Sequence, residues 1–161
     1  MYSISNIIVQ VSINNFGVDT MAAWTAYSKI DFIFWMINSA FGISVMTFVG
    51  QNYGAGKWDR IRRGTKICLG MALISAVSVS IILMSAERFL FGIFVNDAGV
   101  VEIGIRMMNV IAPAYLLFAF IEVFSGALRA QGAVVVSTLI TMVGICVLRM
   151  IWVTLVAAHG T

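Results

Sequence analysis

The residues of this sequence that could carry chemistry are polar and charged side chains inside long apolar segments. Glu122 lies in the apolar segment 107–128, and Arg149 lies in the apolar segment 133–158. An isolated charge is costly in hydrocarbon, so such a carboxylate is neutral, paired with a base, or used to carry a proton or a cation. We interpret Glu122 as a candidate carrier. Arg149 is its candidate partner, unless its long side chain snorkels to the membrane surface.

Polar side chains also recur at steps of three, four and seven, which places them on one face of a helix. The stripes are Ser3, Asn6, Gln10 and Asn14; then Tyr27, Asp31 and Asn38; then Tyr115, Phe118, Glu122, Ser125 and Arg129. Each stripe predicts either a wall of an aqueous cavity or hydrogen bonds between helices. Asp31 follows Lys29 near the outer edge of its segment, where an interfacial role is the alternative. The candidate substrate and cation pathway comprises Glu122, Tyr115, Phe118, Gln10, Asn14, Asp31, Asn38 and Arg149.

Composition places these stripes in a membrane. Of the 161 residues, 61% are hydrophobic and only 11% are charged, with a mean hydropathy of +1.00. A soluble domain averages about 25% charged residues, and it could not cover so much apolar surface with so few charges. The sequence therefore predicts an integral, multi-pass protein of the cell (plasma or inner) membrane.

Five segments are candidates to cross the bilayer as helices, since a crossing takes roughly 20 apolar residues. They cover about 2–16, 32–49, 67–86, 107–128 and 133–158, which predicts an all-α, polytopic helix bundle with a single transmembrane domain over 1–161. The first segment is the weakest, and we expect it to be the remainder of a longer span. Gly42, Gly70 and Gly126 favour close packing of these helices.

Loop charge predicts the orientation. Five of the ten basic residues lie between Lys57 and Lys66, so this loop and the turn at Arg129 are expected in the cytoplasm. The segments 16–25 and 87–106 and the C-terminus then face outward. The residues that mark the cytoplasmic side are Gln51, Gly54, Lys57, Arg60, Arg62, Arg63 and Arg129.

The glycine-rich stretch "GQNYGAGKWDRIRRG" (50–64) does not fit a nucleotide-binding loop. Gln51 stands where the first glycine of a P-loop belongs, and Trp58 stands where serine or threonine is needed. Its glycines favour a helix end that turns at the membrane surface. Cys68 and Cys146 are far apart in apolar segments, which indicates neither a disulfide nor a metal site. No motif indicates an enzyme, a cofactor or a nucleic-acid partner.

Four stretches, in order along the chain, resemble the multidrug and toxic compound extrusion (MATE) transporters. "INNFGVDTMAAWTAYSKI" resembles the turn between the first two helices of a lobe, and "FVGQNYGAGKWDRIRRG" resembles the connector after the second helix. "FSGALRAQG" resembles the family's G-x-L-R-G-x-G segment, and "VLRMIWV" resembles its fifth helix. Ala130 replaces a glycine of that pattern. Phe118 stands at the depth where some members carry an acidic cation ligand, so Glu122 is a substitute candidate.

The resemblance implies most of one six-helix lobe, the C-terminal one, of a two-lobe transporter. It implies antiport of amphipathic or cationic organic compounds by alternating access, with sodium or protons as the coupling ion. Tyr115, Phe118 and Trp35 would suit such cargo, and the partner would be the missing lobe or a second copy. Two alternatives stay open: a lipid-linked oligosaccharide flippase of related architecture, and an inactive truncated membrane subunit.

Overall fold

A computed structural model describes residues 17–144, and helices joined by short turns account for nearly all of them. The helices are α1 (Val18–Gly54), α2 (Trp58–Ser85), α3 (Glu87–Phe94), α4 (Ala98–Ile111), α5 (Tyr115–Ala130) and α6 (Val134–Gly144). Within this range there is no β-strand, so the predicted all-α class is confirmed.

Three helical stretches are long and apolar enough to cross a membrane. They are Val18–Gly54, Trp58–Ser85 and Ala98–Ala130, the last of which joins α4 and α5. Val18–Gly54 and Ala98–Ala130 contain the predicted spans 32–49 and 107–128, and Trp58–Ser85 covers the predicted span 67–86 except for its last residue. The span 2–16 lies outside the described residues, and the span 133–158 is described only as far as α6.

Three segments expected as loops are helical instead. The segment 16–25 contains the start of α1, the segment 57–66 forms the first turns of α2, and the segment 87–106 folds as α3 and much of α4. Hydropathy locates the apolar centre of a membrane helix, but polar turns that project beyond that centre keep their backbone hydrogen bonds and stay helical. Charge in these segments therefore marks helix ends rather than loops.

Two glycine turns of the same geometry end α1 and α5. Gly56 and Gly132 have φ of 68° and 84°, in the left-handed region that favours glycine. The Lys57 N–H donates to the Asn52 carbonyl at 2.9 Å, and the Ala133 N–H donates to the Leu128 carbonyl at 3.1 Å. This pattern is the Schellman motif. The expectation that glycine ends a helix in the stretch 50–64 is confirmed.

The sequence also encodes the break between α4 and α5. Pro113 lies in a three-residue 3-10 turn, Ala112–Ala114, that separates the two helices. Proline cannot donate the backbone hydrogen bond that a continuous α-helix needs. The turn leaves Tyr115 as the first residue of α5, with its side chain buried at 1% exposure. At the other end of α4, the Asp97 carboxylate caps the helix by accepting from the Gly99 N–H at 2.7 Å.

The most extensive helix contact is between α1 and α5, which approach at two glycines. A β-carbon added at Gly126 would lie 2.6 Å from the Gly42 carbonyl oxygen, and one added at Gly42 would overlap the Glu122 carboxylate. A side chain at Gly126 would therefore meet the backbone of α1 itself, whereas one at Gly42 would have to displace the Glu122 side chain. Gly70 differs, since nothing lies within 4 Å of an added β-carbon there. The expected close packing is thus confirmed at Gly42 and Gly126 and is wrong at Gly70.

This contact predicts a difference between two alanine substitutions. Gly126→Ala should lower the thermal unfolding midpoint in detergent by several degrees, because overpacking at a rigid backbone contact costs about 1–3 kcal/mol. Gly70→Ala is the control, and it should leave the midpoint unchanged or slightly higher, because alanine favours helix over glycine. Equal midpoints for the two variants would contradict the close approach of α1 and α5.

Candidate functional site

Asp31 lies at the centre of a hydrogen-bonded group that joins α1 to α5. The Tyr115 hydroxyl donates to Oδ1 of Asp31 at 2.6 Å. The indole Nε1 of Trp35 donates to Oδ2 at 2.9 Å. Trp35 reaches the carboxylate because residues four apart are neighbours on a helix surface. Each carboxylate oxygen thus accepts a hydrogen bond, so the charge is held in one orientation.

Aromatic rings surround this carboxylate. Phe34 stacks on Tyr115 with ring centroids 3.8 Å apart and planes 9° from parallel. Trp35 packs against Phe118 at 5.1 Å, and the hydroxyls of Tyr27 and Tyr115 lie 3.5 Å apart. A carboxylate attracts a cation by charge, and aromatic faces attract it through their quadrupoles. The group formed by Tyr27, Asp31, Phe34, Trp35, Tyr115 and Phe118, hereafter the Asp31 cluster, has the chemistry to hold a proton, a metal cation or an organic cation.

Glu122 has a different environment. Its Oε1 accepts from the Arg129 guanidinium at 3.2 Å, with side-chain exposures of 24% for Glu122 and 40% for Arg129. The carboxylate also lies against Gly42 of α1. An internal cation already neutralises this acid, so any other cation would have to displace Arg129. Arg149, the partner expected from the sequence, lies outside the described residues.

Asn38 is the buried polar residue that faces α2. It is 3% exposed and lines a narrow cleft with Phe34 and Phe41 of α1 and with Ala72 and Ala76 of α2. Its Nδ2 has no hydrogen-bond partner among residues 17–144. A buried donor without a partner is costly, so such groups usually serve a ligand or a conformational change.

The structure brings together candidates that the sequence placed on separate stripes. Asp31 and Tyr115 share a hydrogen bond, and Phe118 joins them through Trp35, whereas Glu122 lies on the same helix as Tyr115 but farther along. Gln10 and Asn14 lie outside the described residues. Sequence reasoning missed Phe34 and the bond from Trp35 to Asp31. The four-residue spacing of Asp31 and Trp35 was the available signal.

The residues expected on the cytoplasmic side lie at helix ends. Gln51 and Gly54 belong to the last turn of α1, Lys57 precedes α2, Arg60, Arg62 and Arg63 lie in its first turns, and Arg129 lies in the last turn of α5. All seven side chains are exposed.

Comparison with known proteins gives a consistent result. A family model described as MatE matches residues 1–155. The probable multidrug resistance protein YoeA of Bacillus subtilis is 24% identical over 145 residues, which cover 90% of this chain and 31% of that protein. The human multidrug and toxin extrusion protein 1 is 23% identical over 128 residues, covering 80% of this chain and 22% of that protein.

A further relative is the probable multidrug resistance protein NorM of Deinococcus radiodurans, which is 24% identical over 89% of this chain and 32% of its own length. The chain thus spans about a third or less of the curated relatives described here. No solved structure matches.

The geometry predicts that Tyr115→Phe destabilises the protein. The change removes the hydroxyl that donates to a partly buried carboxylate, and such a hydrogen bond contributes about 1.5–3 kcal/mol. Tyr53→Phe makes the same chemical change at an exposed tyrosine and should have little effect. Thermal unfolding in detergent, followed by tryptophan fluorescence, compares the two variants. A midpoint for Tyr115→Phe as high as that for Tyr53→Phe would contradict the role of this hydrogen bond.

Proposed function

Because the chain belongs to the MatE family, we propose that it forms part of a secondary active antiporter that exports amphipathic, often cationic, organic compounds. Relatives with 23–24% identity carry the names multidrug resistance protein or multidrug and toxin extrusion protein. The protein is a multi-pass membrane protein, and the plasma or inner membrane is the location that this function requires. Sodium ions or protons would drive export by alternating access.

The Asp31 cluster is the observation that carries this proposal. An antiporter needs a site where the coupling ion and the cargo exclude each other, so that binding one releases the other. One carboxylate within a group of aromatic rings meets this need, since it can be neutralised by a proton, by sodium or by an organic cation, but not by two of them at once. The hydroxyl of Tyr115 lies on α5 and Asp31 lies on α1, so a change of charge at Asp31 acts directly on a contact between two helices.

Glu122 is the second candidate for coupling, and its ion pair makes it weaker than Asp31. The Arg129 guanidinium already satisfies its charge. Asp31 accepts hydrogen bonds from two neutral donors, Tyr115 on α5 and Trp35 on α1, so its carboxylate is tied to the contact between these two helices. The Asn38 amide, buried between α1 and α2, provides a further polar group on α1, the helix that carries Asp31.

Alternating access requires two bodies that move against each other about a central site. The chain covers about a third or less of the relatives described above, so we propose that the second body is another lobe of the same transporter or a second copy of this chain. A flippase for pyrophosphate-bearing cargo would need basic groups that face the cavity. Among residues 17–144, Arg129 is paired with Glu122 and the dense basic group lies on exposed turns of α2.

Ion-coupled export tests the role of Asp31. The protein is expressed in cells that lack their own multidrug pumps, and ethidium efflux is followed with and without sodium and at two pH values. Asp31→Asn should fold, because an asparagine amide can accept from Trp35 and donate to the Tyr115 hydroxyl. It should nevertheless lower ion-dependent efflux roughly tenfold or more. The substitution removes the carboxylate charge to which a proton or sodium ion would bind, and ionisable residues inside membrane helices commonly mark such pathways.

Two matched changes of acid to amide serve as controls. Glu122→Gln should reduce efflux less than Asp31→Asn, and Asp19→Asn, at an exposed position in the first turn of α1, should leave it unchanged. Unaltered ion dependence in Asp31→Asn would reject the Asp31 cluster as the coupling site. A larger loss in Glu122→Gln would transfer that role to Glu122. Absence of efflux in the parent protein would favour the inactive subunit.

A further inference from the structure

The first turns of α2 concentrate positive charge at one end of the helix bundle. Together with Lys57, which directly precedes α2, the basic residues of these turns are Arg60, Arg62, Arg63 and Lys66; these five residues are hereafter the basic cluster. All five side chains are exposed, and none forms an ion pair with an acidic side chain within residues 17–144. Asp59 is the acidic residue in this stretch, so about four positive charges have no acidic side chain to balance them locally.

The position of the basic cluster on its helix is electrostatically unfavourable for the protein alone. The N-terminus of a helix carries a partial positive charge, and acidic rather than basic residues are stabilising there. At the start of α2, no capping side chain accepts a hydrogen bond from the first backbone N–H groups. Cations and unsatisfied N–H groups therefore share one small region. An anion from outside the protein would relieve both costs, as at other helix N-termini that bind phosphate.

The cluster also directly precedes the apolar part of a candidate membrane span. The apolar segment 67–86 begins directly after Lys66, so the five cations lie within three helical turns of the hydrocarbon. Trp58 and Tyr53 are 53% and 41% exposed, and their rings meet edge to face at 5.2 Å. Tryptophan and tyrosine favour the boundary between hydrocarbon and headgroups. The anionic headgroup of a lipid would therefore lie within reach of these cations.

From these observations we propose that the basic cluster is a binding site for the phosphate headgroups of anionic lipids. Arginine is suited to this role because its guanidinium binds phosphate through two parallel hydrogen bonds. Trp58 packs beside the headgroup, and the N–H groups at the start of α2 supply further donors. The site is separate from the Asp31 cluster and does not depend on the proposed transport function.

Lipid binding by the purified chain in a neutral detergent tests this proposal without any need for transport or for a defined orientation. Phosphatidylglycerol is added, and bound lipid is counted by native mass spectrometry. Phosphatidylcholine with the same acyl chains and inorganic phosphate at equal concentration are the reference ligands. We expect retention of phosphatidylglycerol and a higher thermal unfolding midpoint with it, and neither effect with the two reference ligands.

Two double variants remove the same amount of charge from different places. Arg60→Gln with Arg63→Gln acts on the basic cluster, and Arg88→Gln with Arg106→Gln acts on exposed positions of α3 and α4. The first should weaken phosphatidylglycerol binding roughly tenfold or more, since each basic residue near an anionic surface contributes several-fold. The second should bind as the parent does. Circular dichroism verifies that both retain their helix content.

Three results would overturn the proposal. Equal binding by the parent and by the Arg60 and Arg63 variant would show that the cluster is not the site. An equal loss in the Arg88 and Arg106 variant would show that net charge alone governs retention. The third result is a rise of the unfolding midpoint with inorganic phosphate that equals the rise with phosphatidylglycerol. That result would show that a free anion, not a lipid, occupies the cluster.

Discussion

The close approach of α1 and α5 is the constraint on which the other features of this structure depend. The two helices run in the same direction and keep one register, because an offset of 84 residues separates Asp31 from Tyr115 and also Gly42 from Gly126. Only glycine at the second pair lets the backbones come this close. That contact holds Tyr115 at hydrogen-bonding distance from Asp31 near the start of α5, and it holds Glu122 against α1 farther along the helix.

The two acidic residues Glu122 and Asp31, which both lie in long apolar helices, have different hydrogen-bond partners. Glu122 is paired with Arg129 seven residues away on the same helix, so its charge is balanced locally and its contact with Gly42 is part of helix packing. Asp31 accepts hydrogen bonds from neutral donors on two helices, Tyr115 on α5 and Trp35 on α1. Glu122 is thus tied to a cation on its own helix, whereas Asp31 is tied to the packing of α1 against α5.

Much of this architecture could be predicted from the sequence, and the rest could not for physical reasons. Apolar length predicted the membrane helices, and glycine in the stretch 50–64 predicted the turn after α1. Helix ends were misplaced because hydropathy says nothing about polar turns that extend beyond the bilayer, such as the start of α2. Helical spacing predicted the polar stripes on single helices, but it did not predict which stripes contact each other. The register that joins Asp31 to Tyr115 depends on how two helices that are distant in sequence pack, and helical spacing within one helix carries no information about it.

The length of α1 has a mechanical consequence. This helix runs without interruption from Val18 to Gly54, with 37 residues and no proline, and is therefore about 55 Å long. A continuous helix without proline lacks the commonest cause of a sharp kink. If α1 tilted as one body by about 10° around the Gly56 turn, its Val18 end would move by about 10 Å. Such a tilt would displace Asp31, and lipid bound to the basic cluster next to the Gly56 turn would restrict it.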